Sequence, residues 1–395
     1  MSNFTDFISG GGDAAPIPTT QFVIGQSKTF TAPITGRMKV IITGGGGQGA
    51  FLYNVNSSAL SNEGSGTGGG AGGYSEKTFN VTAGETFTVT IGSGGALTDS
   101  ITTLNSTRVG NDGGNSSFVT ASAAESVNMV ANGGGGGQFV AGTTAAVNVA
   151  GGTGGTASGG DFNYTGGAGG SISRVASSDN NPIVTGGGAV ALYGTAYHGG
   201  NVTVIENLGS NAKIIATGGA GVGGNGGDIL NIPGSGSRHY RSTGGSSTRD
   251  GISDYVGSTT TENTDTNGTA GAPTTSATIS VIDAQGGGGY ARAAYNNSLY
   301  SGSGGYGGGS GSAVGRVTTG NHYFNTSDAG GFGGSGALAR VSTYSYSGDT
   351  RLGTGSGGIG GGGSGAFSGF IHNMNSATDR RWGPGGDGIC IIMFV

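Results

Sequence analysis

Four histidines, His198, His239, His322 and His372, 21 acidic residues and one cysteine, Cys390, are the side chains here that could hold a metal or move a proton. The histidines stand far apart and no two share the close spacing of zinc ligands. They read as solvated loop residues. No local spacing singles out a carboxylate pair of the kind a glycosidase sets across its scissile bond. Cys390 lies in the apolar run 388–395, so the chain closes no internal disulfide and the residue reads as a small buried hydrophobe. The nonapeptide GGNGGDILN (223–231) fits the calcium-binding β-roll pattern, but such a roll needs neighbouring copies to complete each site, and this is a single copy. G-x-G-x-x-G matches mean little among 95 glycines, and no glycine tract ends in the Lys-Ser/Thr of a phosphate-binding loop. The expectation is a non-enzymatic protein with no cofactor and no metal.

Another set of residues suits recognition rather than catalysis. Most of the 14 tyrosines and most of the arginines fall beyond residue 237, whereas every lysine precedes Ile214. The later segments mix Tyr, Arg, Ser, Asn and Gly, the composition of binding loops, in which aromatic rings give contact area at low entropy cost. Tyr295, Tyr300, Tyr344 and Trp382 are candidates to stack on sugar rings or fill apolar pockets. Arg241, Arg292 and Arg380 are candidates to pair with phosphate or carboxylate groups. The alternative is that these aromatics pack against glycine faces or a neighbouring subunit. In that case the receptor surface shifts to the loops at 51–63 or 171–185.

Such loops need a frame, and two kinds of segment offer one. Apolar strands run straight into glycine tracts in RMKVIITGGGGQ (37–48), VNMVANGGGGGQ (127–138), AKIIATG (212–218) and ATISVIDAQGGGG (277–289). A second echo, GGNSSFV (113–119) and GGNVTVI (199–205), makes a loose repeat with unequal intervals, which predicts no regular solenoid. SEKTFNV (75–81) and ETFTVTI (85–91) alternate polar and apolar residues around TAG (82–84), the pattern of a β-hairpin. GICIIMFV (388–395) is apolar on both faces and predicts a central, doubly covered strand.

Glycine recurs every third residue at Gly218, Gly221, Gly224 and Gly227, at Gly302, Gly305, Gly308 and Gly311, and at Gly330, Gly333 and Gly336. Period three is that of the left-handed polyproline-II helix, in which an all-glycine face lets a second backbone approach closely. The tracts 218–227, 302–311 and 355–363 are expected to form such helices side by side. Collagen does not fit, because the Gly-X-Y runs are short and the chain has only 7 prolines. The predicted fold class is mainly β with irregular glycine-rich structure. It combines a sandwich-like strand framework with a bundle of packed polyglycine-II helices joined by variable loops, and little α-helix.

Only 9% of the 395 residues are charged and 33% are hydrophobic, against about 25% charged in ordinary soluble domains. The core should therefore be thin. A net charge of -5 supplies no basic stripe for a phosphate backbone, which argues against nucleic acid as a partner. The N-terminus lacks a basic region followed by an apolar stretch, and no run approaches about 18 apolar residues, so neither general export nor membrane insertion is expected. Residues 1–19 read as an attachment segment and 20–395 as one domain, with the Arg/Tyr-rich loops at 237–382. Phe4, Phe7 and Ile8, followed by glycines at 10–12, suit an apolar plug and hinge that docks onto another protein. A frayed terminus is the alternative.

The runs VIITGGGG (40–47), GGGAGGY (68–74), FNVTAGETFTVTIG (79–92) and GGDGICII (385–392) resemble the glycine-rich domains of bacteriophage tail proteins, from about Thr20 onward. That resemblance implies a virion structural protein, a tail fibre or adhesin assembled in the host cytoplasm, that recognises the host surface through loops on a glycine-helix core. Implied partners are a host surface glycan or outer-membrane protein, other virion proteins through the N-terminus, and further copies of the chain, a trimer being favoured. Two other classes remain open: a glycine-helix matrix or ice-binding protein, and a tail-associated glycan hydrolase. Ice binding needs a flat face of regularly spaced small residues, which the long Arg/Tyr loops would spoil.

Overall fold

The computed structural model describes residues 21–53, 65–96, 106–140, 145–176, 183–192, 194–205, 215–230, 239–241, 245, 260–262, 313–317, 339–343, 357–358, 360–361, 366–367 and 384–395. Its strands begin with β1 (Gln21–Ile24), β2 (Lys28–Thr31), β3 (Gly36–Thr43), β4 (Phe51–Tyr53), β5 (Ser65–Gly66), β6 (Tyr74–Val81) and β7 (Thr86–Thr90). There follow β8 (Ser106–Arg108), β9 (Ser116–Ser122), β10 (Asn128–Ala131), β11 (Phe139–Val140), β12 (Val147–Val149), β13 (Ala157–Ser158) and β14 (Phe162–Tyr164). Next come β15 (Ile172–Arg174), β16 (Ile183–Val184), β17 (Val202–Val204), β18 (Ile215–Ala216), β19 (Ile229–Leu230) and β20 (His239–Arg241). The last are β21 (Thr260–Glu262), β22 (Ala313–Val317), β23 (Ala339–Thr343), β24 (Ala366–Phe367) and β25 (Ile389–Phe394). No helix occurs among the described residues, and the chain is mainly β, as its composition predicts.

Period-two patterning builds a sandwich from two antiparallel sheets, ordered β1-β25-β3-β6-β14 and β13-β10-β9-β7-β2. In β3, Met38, Val40 and Ile42 are buried while Arg37 is exposed, and in β7 Phe87 and Val89 point inward between threonines. Alternation of this kind places one face on a core and one toward solvent. The core joins these residues to Phe79, Val81, Phe118, Met129, Ile392 and Phe394, with Phe87 and Phe118 stacked at 4.8 Å. β25 lies centrally between β1 and β3, as its sequence predicts, so strands from the two ends of the chain pair side by side. One of its faces is fully buried through Cys390, Ile392 and Phe394, and Ile391 and Met393 on the other are half-buried.

The hairpin expected around residues 82–84 does not form. Both strands exist, but β6 pairs with β3 and β14 while β7 pairs with β2 and β9, so the chain crosses from one sheet to the other. Phe79 and Phe87 meet across the sandwich at 5.7 Å rather than along one sheet. The turn is held by the neighbouring chain: Gly84 donates its N–H to the Ala32 carbonyl (2.8 Å) and Ala32 donates to the Glu85 carbonyl (2.8 Å). Alternation specifies a buried face and leaves open which strand lies alongside.

Beyond the sandwich the chain winds into stacked turns. β15, β17 and β19 pair in parallel, with Ile172, Val202 and Ile229 in register, and β16, β18 and β20 pair in parallel, with Ile183, Ile215 and Tyr240 in register. Ile172, Ile183, Val202, Val204, Ile215 and Ile229 fill the space between these two rows. Successive coils thus stack in parallel, but at unequal intervals, as the loose repeat in the sequence predicts. Stacked positions are 30 residues apart in the first step (168 and 198) and 27 in the second (198 and 225), a difference taken up between the strands.

Between the strands the glycine segments pack against each other with a period of three. Gly44, Gly47 and Ala50 donate their N–H groups to Gly73, Gly70 and Thr67 at 3.0, 2.8 and 3.0 Å, along one neighbour of opposite direction. The intervening residues reach other neighbours: Gly45 and Gln48 donate to Gly114 and Asn111, and Gly46 donates to Gly386. Thr67, Gly70 and Gly73 donate in turn to Gln138, Gly135 and Asn132. A strand addresses two directions and these segments address three. A Cβ on Gly47 or Gly70 would fall closer than 3.0 Å to a backbone carbonyl, of Gly135 and Thr153 respectively, so only glycine permits this approach.

The tract 218–227 is not one continuous run. Gly221 donates to the Gly224 carbonyl (2.9 Å) in a turn that sends the chain back, so residues 217–220 lie against 184–187 and residues 226–229 against 198–201. Within 355–363 the described residues also turn, Gly361 donating to the Gly358 carbonyl at 2.7 Å. The tract 302–311 lies outside the described residues.

Candidate recognition surface

Of the candidate recognition residues, only Arg241 falls among the described residues. It ends β20, in register with Ala216 on one side and Thr260 on the other. Arg292, Tyr295, Tyr300, Tyr344, Arg380 and Trp382 lie outside the described residues, as do Phe4, Phe7 and Ile8. Of the loop at 51–63, the described part is β4, and of 171–185 it is 171–176 and 183–185.

What the coil stack does bring together is the ends of its parallel strands. β15, β17 and β19 run in parallel, so the described residues that follow or end them lie along one edge of the first row. Along that edge Val175, Ile205 and Leu230 are 38%, 53% and 54% exposed, although each follows a buried residue. Val175 donates its N–H to the Val204 carbonyl, so the apolar side chains lie on adjacent coils.

The coils are stitched by side-chain rungs. Ala168 donates its N–H to His198 Nδ1 (2.9 Å), and His198 donates its own N–H to Asn225 Oδ1 (2.7 Å). Three residues on, Ser171 donates to Asn201 Oδ1 (2.9 Å) and Asn201 donates to Asp228 Oδ1 (2.7 Å). Gly133 and Gly136 likewise donate to Asn115 and Asp112. All three pairs share one pattern, an acceptor side chain, two glycines and a second acceptor: 112–115, 198–201 and 225–228. The echo GGN before a strand carried half of this signal, but its role depends on which tract lies alongside. Asp228, the acidic residue of the β-roll-like nonapeptide, thus spends its carboxylate on a neighbouring coil. His198, read as a solvated loop residue, is exposed and is also a rung.

Threonine hydroxyls form an inner set. Thr185 and Thr217 are buried, donate to the Gly170 and Gly200 carbonyls at 2.6 Å each, and accept from the Gly68 and Gly186 N–H groups. Each hydroxyl both donates and accepts, which satisfies buried glycine backbone that has no strand partner.

The ionisable groups of the sandwich serve structure. Glu85 accepts from Ala124 N–H (2.8 Å) and Thr82 N–H (3.0 Å), and these two bonds hold its carboxyl below the usual range. Lys39 pairs with Glu76 at 2.6 Å. Burial pushes the Cys390 thiol up to about 12, so it stays protonated and behaves as the hydrophobe its sequence position suggests. Among the described residues no three His, Cys, Asp or Glu side chains converge on a common point.

The glycine-rich domain family matches residues 20–251, more than half of the chain, and the protein belongs to that family. No curated protein matches the chain.

Proposed function

We propose that this protein is a bacteriophage virion component, a tail fibre or adhesin that attaches the particle to its host. In this reading the glycine segments are polyglycine-II-type helices, for which the period-three hydrogen bonding is the support, and they form a rigid frame without a large apolar core. The single observation that favours display is the exposure of Val175, Ile205 and Leu230 along one edge of the stacked coils, since binding residues concentrate on the surface of a rigid scaffold. The expected partner is a host surface glycan or outer-membrane protein. Residues 1–19 attach the protein to other virion proteins, the copies associate as a homo-oligomer, a trimer being favoured, and the protein performs no catalysis.

Labelling the protein on purified particles and measuring adhesion to host cells tests this reading. It predicts label at the tail, and loss of adhesion with an unchanged thermal transition when Tyr295, Tyr344 and Trp382 are replaced together by Ala. Label absent from particles contradicts the virion role. Adhesion that survives while the transition collapses assigns those aromatics to packing.

A further inference from the structure

The rungs between coils differ in one chemical respect. At Asn115, Asn201, Asn225, Asp112 and Asp228 the acceptor is an amide or carboxylate oxygen, whereas at His198 it is an imidazole nitrogen. To accept from Ala168 N–H, Nδ1 must carry its lone pair, so the proton of the neutral ring sits on Nε2. Once the ring is protonated both nitrogens are donors, and Nδ1–H faces the Ala168 N–H with no acceptor between them.

The position makes this consequential. His198 ties three segments at once: its side chain accepts from Ala168, its N–H donates to Asn225, and its carbonyl accepts from Gly226 N–H at 2.9 Å. The next residue, Gly199, donates to the Ala168 carbonyl at 3.0 Å. Segment 166–171 carries no charged side chain, and segment 186–190, whose Ala189 donates to the Tyr197 carbonyl, carries none either. The titratable groups on the three segments are His198, Tyr197 and Asp228, and Asp228 Oδ1 is held by Asn201. The imidazole is exposed, so protons reach it directly. Histidine is the side chain that ordinarily changes charge between about pH 5 and 8.

We propose that His198 is an acid-sensitive latch between the coil at 166–171 and the coil at 198–201: closed while the imidazole is neutral, opened by its protonation. Opening frees the Ala168 N–H and loosens the stack beside Tyr197, while the Asn201 rung three residues on still holds.

Hydrogen exchange at the Ala168 amide of the full chain tests this at pH 7.5 and 5.0, each protection factor referred to the intrinsic rate at that pH. The wild-type protein should lose about threefold to tenfold in protection on acidification, the range set by one net backbone hydrogen bond. His198→Asn, which keeps an acceptor that acid does not protonate, should show no such loss, and His198→Ala should be poorly protected at both pH values. Equal loss in wild type and His198→Asn, or no loss in wild type, overturns the proposal. If His198→Asn does not fold, histidine nitrogen NMR of the wild-type protein decides: a neutral ring protonated on Nε2 supports the latch, and one protonated on Nδ1 refutes it.

Discussion

Gly47 donates its N–H to the carbonyl of Gly70 at 2.8 Å, and Gly70 passes its own N–H to Gly135 at 2.9 Å. Three backbones therefore meet where no side chain intervenes. Neighbours three residues away on each segment repeat both bonds, so glycine is demanded by packing geometry, and its entropic cost of roughly 0.5 to 1 kcal/mol per residue is offset by contacts repeated along the tract. This relationship makes the segments at 44–50, 67–73 and 132–138 an ordered part of the molecule. Gly/Ser-rich sequence without such periodicity behaves as flexible linker.

The rungs should be separately measurable. Asn201 accepts from both the N–H and the hydroxyl of Ser171 (2.9 and 2.8 Å) and donates its Nδ2 to Asp228 (3.2 Å). Asn201→Ala leaves the part-buried Ser171 groups without this acceptor and should cost about 1–3 kcal/mol in denaturant unfolding. Combined with Asp228→Ala, the loss should be less than additive, because the two residues share a bond. Full additivity would show that the bond between Asn201 and Asp228 contributes nothing measurable.

Glu85 predicts a specific acid response. Its folded carboxyl lies below the ordinary value of 4.5, through the Ala124 and then the Thr82 N–H bonds. A depressed folded pKa means that the unfolded chain takes up its proton first as pH falls. The stabilisation is therefore complete above the unfolded value and is lost as pH drops through the folded one. Glu85→Gln should flatten the stability profile in that acidic window and leave the rest of the curve parallel to wild type. An unchanged acid limb in the variant would remove Glu85 from the account.

Cys390 is fully buried between β1 and β3, with its thiol pushed up to about 12. Thiolate is the reactive form. A thiol reagent at pH 8 should leave the native protein unlabelled and modify the unfolded chain stoichiometrically. Rapid labelling without unfolding would mean that the central strand opens locally.

Much of the sandwich is legible in the sequence, because period-two alternation and the doubly apolar run at 388–395 each specify a buried face. The cross-over at 82–84 is not, since Phe79 and Phe87 would alternate identically in a hairpin or in an arch between sheets. Period three is legible at Gly218, Gly221, Gly224 and Gly227, but the same spacing serves a continuous helix or two segments joined by a turn, and the structure turns at 221–224. The rungs were hidden for a further reason: Asn201 and His198 gain their roles from Ser171 and Ala168, 30 residues away, and local pattern does not say which tract lies alongside. Of the candidate recognition residues, sequence supplied the types, and the described part of the stack adds the exposed apolar residues Val175, Ile205 and Leu230 at its edge.

The most direct test of glycine packing compares the thermal transitions of Gly70→Ala and Gly36→Ala. A Cβ at residue 70 meets backbone of the 152–153 segment, whereas one at residue 36 has nothing within 4 Å, and neither position has a left-handed φ. Close packing predicts that Gly70→Ala loses about 1–3 kcal/mol or more and fails to fold if the tracts do not yield, because the obstruction is backbone. It predicts that Gly36→Ala is neutral or gains about 0.4–1 kcal/mol from reduced freedom of the unfolded chain. Equal transitions for the two variants would contradict the account, since a tract that accepts a methyl group at Gly70 without cost is not packed backbone to backbone.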